Sequence, residues 1–115
     1  MRDITQRTFN FALSILRLFQ TLNKQYSPDR SVLGKQLLRS GTSVGANVEE
    51  AQAGQSRADF ISKMSIALKE ARETNYWLRL LEAGSLVGKD EIADLLRESE
   101  EIKKILGAII VSSKK

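Results

Sequence analysis

Apolar residues recur along this chain at alternating spacings of three and four, the period of an α-helix that buries one stripe. Over residues 3–25 the stripe reads Ile4, Phe11, Ile15, Leu18 and Leu22, and over 28–54 it reads Leu33, Leu37, Val44, Val48 and Ala51. Residues 57–83 carry Phe60, Met64, Ala67, Ala71, Leu78 and Leu81; residues 90–112 carry Ile92, Leu95, Ser99, Ile102, Leu106 and Ile109. Helix-start signals fall between these segments. Ser27-Pro28-Asp29 supplies a capping hydroxyl, a proline where no amide hydrogen is needed, and an acid at the positive end of the helix dipole. Ser56 with Asp59 forms a weaker capping pattern, Gly54 and Gly84 stand as terminators, and Gly88-Lys89-Asp90-Glu91 opens the last segment. Connections this short force neighbouring helices antiparallel. The pattern predicts an all-α, up-down-up-down four-helix bundle, a single domain over residues 1–115.

The first segment carries a second apolar stripe, Phe9, Leu13 and Leu16, roughly opposite Phe11, Ile15 and Leu18. The third has Tyr76 and Leu80, with Ile66 further back, outside its main stripe. A monomeric bundle has no use for such rows, and exposed apolar patches mark interfaces. They predict a homo-oligomer joined through Phe9, Leu13, Leu16, Tyr76 and Leu80. The competing arrangement rotates the helices so that these side chains cap the core.

Composition then removes whole classes of chemistry. The 115 residues contain no Cys and no His, so disulfides, thiol nucleophiles, Ser-His-Asp triads and histidine-ligated metals are excluded. No cofactor is implied. No apolar run reaches the roughly 18 residues a membrane span requires, and no cleavable leader stands out, which leads to the expectation of a cytoplasmic protein without membrane contact. Lys plus Arg number 18 against 14 acids, a net charge of +4. Most of the excess lies in residues 1–27, where Arg2, Arg7, Arg17 and Lys24 face only Asp3. These four are the expected contacts to RNA or DNA. Helix 4 is acidic at first (Asp90, Glu91, Asp94, Glu98, Glu100, Glu101) and basic at its end (Lys103, Lys104, Lys114, Lys115). The start of helix 1 and the end of helix 4 are expected at opposite ends of the bundle.

The stretch Arg39-Ser40-Gly41-Thr42-Ser43-Val44-Gly45-Ala46-Asn47 is rich in small and polar residues. A phosphate-binding loop would need Gly-Lys-Ser/Thr between a strand and a helix, and both are missing. Small residues on one face instead let a neighbouring helix come close. Ser40 and Asn47 fall on the core stripe, with expected partners around Thr74 and Asn75. Arg39, Ser40, Ser43, Asn47, Thr74 and Asn75 are therefore read as a polar layer that fixes helix register.

These residues also carry a resemblance. The block from Arg39-Ser40 to Asn47-Val48-Glu49-Glu50-Ala51, then Ser56 and Asp59-Phe60, then Ala67-Leu68-Lys69-Glu70-Ala71-Arg72-Glu73-Thr74 and Tyr76-Trp77-Leu78-Arg79-Leu80-Leu81, resembles the bacterial four-helix bundle family that includes proteins encoded by intervening sequences in large-subunit ribosomal RNA genes. Glu50 stands where many members carry Gly. The family is similar to the accessory variability proteins of diversity-generating retroelements, pentameric barrels that bind a reverse transcriptase and RNA. The resemblance implies a homopentamer whose basic surface meets nucleic acid or a nucleic-acid enzyme such as a reverse transcriptase, and it implies no catalytic residues.

Two other functions compete with a non-catalytic scaffold. Glu70-x-x-Glu73 followed by Glu91-x-x-Asp94 has the outline of a Mg²⁺-dependent all-α nucleotide pyrophosphatase, although Lys69 and Arg72 interrupt the acids. Alternatively, Tyr76, Trp77 and Leu80 could anchor a protein partner in an adaptor with no nucleic-acid role.

Overall fold

The second, third and fourth helices each start where a side chain accepts one of the amide hydrogens that the first turn leaves unpaired. The Ser27 hydroxyl accepts from the Arg30 amide at 3.2 Å, and the Ser56 hydroxyl accepts from the Asp59 amide at 3.1 Å. Hydrogen bonds from the Ser27 hydroxyl and the Arg30 amide hold the Asp29 carboxyl below its ordinary pKa. Gly88 has no side chain to offer, so Glu91 reaches back and accepts from the Gly88 amide at 2.9 Å. A computed structural model describes the chain from residue 2, and its side chains from residue 3. It contains α1 (Arg2–Leu22), α2 (Pro28–Gln52), α3 (Arg57–Ala83) and α4 (Lys89–Ser113), with no strand among the described residues.

Gly84 stands directly after α3, where the pattern placed a terminator. Gly84 caps α3 with an ordinary φ of −82°, and the left-handed residue is Ser85, at φ 61°. The Ser85 amide donates to Glu82 O and the Leu86 amide to Leu81 O, both at 3.0 Å, a double bond pattern that closes a helix end and fits glycine best at the left-handed position.

Consecutive helices are neighbours and α4 returns to α1, with no close backbone approach across the diagonals among the described residues, in a bundle 46 Å long and 20 × 18 Å across. α1 and α4 approach each other least. Each helix runs antiparallel to the next, so the starts of α1 and α3 share an end with the finishes of α2 and α4. The Arg57 guanidinium accordingly meets the Lys115 carbonyl at 3.4 Å. This corrects the expectation that the start of helix 1 and the end of helix 4 lie apart.

The core follows the predicted stripes: Ile15, Leu22, Leu37, Val44, Val48, Met64, Leu78, Leu81, Ile92, Ile102 and Leu106 are fully buried. Leu33 and Phe60, near the starts of α2 and α3, are only half-buried, and Leu95 is half-buried because it lines the open α1–α4 seam. In α4 the last core position is Ile110 rather than Ile109. α1 also stops earlier than its pattern, at Leu22 rather than near residue 25.

The tightest approach is between α1 and α2. A Cβ added at Gly41 would lie 2.8 Å from the Ile15 side chain, and one at Gly45 would lie 3.1 Å from the backbone carbonyl oxygen of Thr8. Thr8 itself is fully buried, its hydroxyl donating to Ile4 O at 2.8 Å. The small residues of α2 therefore serve α1, which passes with its backbone almost against that of α2.

Three stability predictions rest on these backbone positions. Gly45→Ala meets an unyielding carbonyl, so it should lower stability by about 1–2 kcal/mol in urea denaturation, whereas Gly107→Ala, with nothing within 4 Å, should raise it by about 0.5–1 kcal/mol through helix propensity. Ser85→Gly should raise stability by about 0.5–1 kcal/mol by relieving the left-handed conformation, read as an upward shift in thermal midpoint.

Candidate functional site

The polar residues of α2 and α3 divide into two buried contacts and an outer rim. At the α2–α3 seam the Thr74 hydroxyl bonds to the Ser40 hydroxyl at 3.0 Å and to Glu70 O at 2.7 Å, with both Ser40 and Thr74 fully buried. Asn75 turns the other way, to α4: its amide donates to the Ser99 hydroxyl at 3.2 Å and to Glu100 Oε2 at 2.9 Å, and its carbonyl oxygen accepts from Arg79 Nε at 2.9 Å. Asn47 does not reach Thr74 or Asn75. It is half-buried and donates to Ser43 O within its own helix at 2.8 Å, while Ser43 in turn bonds to Arg39 O. Positions four apart on one helix satisfy each other before a distant helix can. The single layer expected from Arg39, Ser40, Ser43, Asn47, Thr74 and Asn75 is thus two separate contacts, one on each side of α3.

On the outer rim Arg39 binds Glu73, and Glu73 also accepts the Trp77 indole N–H at 3.0 Å. Glu70 is buried beside them, its Oε1 without a hydrogen bond and 3.6 Å from the Arg39 guanidinium. Glu70, Glu73, Trp77, Ser99, Glu100 and Arg79 take part in this network although polar patterning on α2 alone did not single them out for it. The sequence signal for Glu70, Trp77 and Arg79 is their spacing of three or four from Thr74 or Asn75, and for Glu73 its spacing of four from Trp77; Ser99 and Glu100, on another helix, carry no such signal.

The α1 cations do not assemble. Arg7 makes a two-pronged ion pair with Glu98, at 2.6 and 3.0 Å, and the Glu98 hydrogen bond raises its pKa. Arg17 lines an open groove with Ser14, Thr21, Glu91, Asp94 and Leu95, where the facing charges are carboxylates. Lys24 follows the C-terminal end of α1, beyond Leu22. The side chain of Arg2 lies outside the described residues. Asp90, Glu91, Asp94, Glu98 and Glu101 recur at spacings of three and four along the α4 edge turned toward α1, so this seam carries more negative than positive charge.

The apolar rows, by contrast, stay uncovered. Phe9 is 56% exposed, Leu13 and Leu16 each 37%, and together with Ala12 and Thr42 they line a shallow apolar depression between α1 and α2. Tyr76 is 49% exposed and Leu80 and Ile66 each 37%. The helices are not rotated to bury these rows. Since α1 and α3 stand at opposite corners, the two rows cannot cover each other within one chain. Tyr26, Val32 and Val111 are also exposed, singly, at positions the sequence reading did not mark.

The two acid pairs lie in different seams. Glu70 and Glu73 face α2 and share Arg39, while Asp94 faces α1 and pairs with Arg97. Among the described residues no three His, Cys, Asp or Glu side chains cluster as a metal would need.

Foremost among the causes that depress the Glu73 pKa below 4.5 is the Trp77 indole bond, supported by Arg39. A carboxyl whose folded pKa is depressed adds stability above its unfolded value and loses it as pH falls through the folded value. Between pH 5 and pH 3, Glu73→Gln should therefore lose less stability than the wild type, measured by urea unfolding at each pH.

Three comparisons place this geometry among known proteins. A crystal structure of a protein of unknown function from the S23 ribosomal protein family of Bacteroides thetaiotaomicron superposes with a TM-score of 0.84 at 44% identity, covering 93% of this chain and 97% of that one. None of the curated proteins matches the chain. The model of the family described as 23S rRNA-intervening sequence protein matches residues 2–108. The match spans most of the chain's 115 residues, and the chain belongs to the 23S rRNA-intervening sequence protein family.

Proposed function

We propose that this protein is a non-catalytic, homo-oligomeric scaffold that binds nucleic acid or a nucleic-acid enzyme through its basic surface. The observation that carries the reading is the pair of exposed apolar rows at opposite corners of the bundle, Phe9-Leu13-Leu16 on α1 and Ile66-Tyr76-Leu80 on α3. Two different patches on one chain suit a head-to-tail contact, in which α1 of one copy meets α3 of the next. Such contacts close into rings when the rotation per copy divides a full turn. The similarity to pentameric accessory proteins favours five copies, and five charges of +4 sum to +20 around one axis. A cytoplasmic setting suits a partner in the ribosomal RNA context that the family description names, and among the described residues no helix is long and apolar enough to cross a membrane.

Against catalysis stands the separation of the two acid pairs, each in contact with an arginine rather than facing the other across a cation site. Against a pure protein adaptor stands the position of Trp77, half-buried and bonded to Glu73, which leaves little of it for a heterologous partner.

Light scattering on the purified protein should give about five times the 12.9 kDa chain mass. Leu13→Glu and Leu80→Glu, each at a partly exposed site, should keep the helical circular dichroism and release single chains. A wild-type mass of 12.9 kDa at high micromolar concentration defeats the scaffold reading.

A further inference from the structure

We infer that the nucleic-acid contact lies on the α4-facing flank of α3, through Lys69, Arg72 and Arg79 with Tyr76 among them, and that its ligand is a single strand. This rests on the proposed scaffold reading and gives it a site. α3 holds five cations and four acids, a balance that conceals how they are distributed. Glu70 and Glu73 point to α2 and are engaged with Arg39. Arg72 and Arg79 stand three before and four after Asn75, the residue that bonds to α4, so they share its edge of the helix. Lys69 and Tyr76 form the adjacent row, seven residues apart. All four side chains are exposed and, among the described residues, none of the three cations forms an ion pair, although Glu73 acts electrostatically on Lys69 and Glu100 shares Asn75 with Arg79.

The chemistry of the flank suits a strand rather than a groove of duplex. Lys69 to Arg79 spans about 15 Å along the helix axis at about 1.5 Å per residue, a footprint for a few nucleotides, at the lower end of the about 4–16 that single-strand modules cover. Tyr76 presents a π face at the centre of the row, held edge-on to Trp77 with ring centroids 5.0 Å apart. The Arg79 guanidinium lies 5.8 Å from the Tyr76 ring centroid and is tethered by Asn75. A fixed aromatic flanked by cations is what non-sequence-specific single-strand recognition uses: phosphates on the cations and a base on the ring. Assigning Tyr76 to the strand takes it out of the apolar row offered to a neighbouring copy, which then seats on Ile66 and Leu80 alone, in the row of Glu73 on the α2-facing half of the outer surface, and leaves the basic flank open.

Fluorescence anisotropy with labelled oligouridylate, oligothymidylate and a duplex of equal length tests the assignment across a salt series. The wild type should bind both single strands more tightly than the duplex; equal or tighter duplex binding overturns the single-strand assignment. Lys69→Gln/Arg72→Gln/Arg79→Gln should flatten the log–log salt slope by about 2, from about 0.7 per cation on single strands. Lys69→Gln/Arg72→Gln, which leaves the Asn75 tether intact, should flatten it by about 1.4, so the test survives if the triple variant does not fold. Tyr76→Leu should weaken single-strand binding about tenfold. If the wild type binds no nucleic acid at low salt, the nucleic-acid part of the proposed function fails and the site with it. If it binds but the loss appears only in Arg17→Gln/Lys24→Gln, the function stands and the α3 site is overturned. Preference for an acidic protein over both strands also overturns it.

Discussion

The close approach of α1 to α2, the Ile15 side chain against Gly41 and the Thr8 backbone against Gly45, is the constraint from which much of the remaining arrangement follows. With Thr8 O only 3.1 Å from where a Gly45 Cβ would sit, α1 is drawn onto α2 and its contact with α4 is correspondingly slight. The seam that opens is lined by Asn10, Ser14, Asp94 and Glu98 and is bridged by the Arg7–Glu98 ion pair. The same placement leaves Phe9, Leu13 and Leu16 outside. A bundle with four equal seams would need bulkier residues along α2 and would offer a different outer surface.

α3 has the opposite character, joined to its neighbours by polar contacts that differ on its two sides. Ser40–Thr74 is a short, buried pair of hydroxyls toward α2, while Asn75 toward α4 uses its whole amide on Ser99, Glu100 and Arg79. Buried polar groups with satisfied partners tolerate little sliding, because a shift of one turn would strand each of them. The two contacts also sort the charges of α3. Acids near Thr74 are drawn to Arg39, and cations near Asn75 are left facing solvent, which separates an apolar, ion-paired half from a basic one.

Much of the fold was legible in the chain. Hydroxyl caps at Ser27 and Ser56 and the stripes from Ile4 to Leu106 are local properties, dictated by hydrogen-bond need and the 3.6-residue period, and they appear where the pattern put them. Gly84 ends α3 where the pattern put it, although the left-handed residue of that turn is Ser85, one position on. Asn47 was misleading for a local reason. Its spacing matches the core stripe, but a partner at Ser43 O is available within the same helix, and the expected bond to α3 is not needed.

The electrostatic surface was much less legible. Counting by segment put the excess positive charge on α1, because adding charges along the chain treats each helix as isolated. Folding sets α4 beside α1, and Glu98, Asp94 and Glu91 answer Arg7 and Arg17 across a seam that joins residues some ninety positions apart for the Arg7–Glu98 pair. The sequence by itself determined the helices, their caps, the core stripes and the presence of unburied apolar rows, all set by neighbours within a turn or two. Only the tertiary structure decided which charges are neutralised and which face solvent, because Coulomb energy depends on distance in space, and distance in space is assigned by packing.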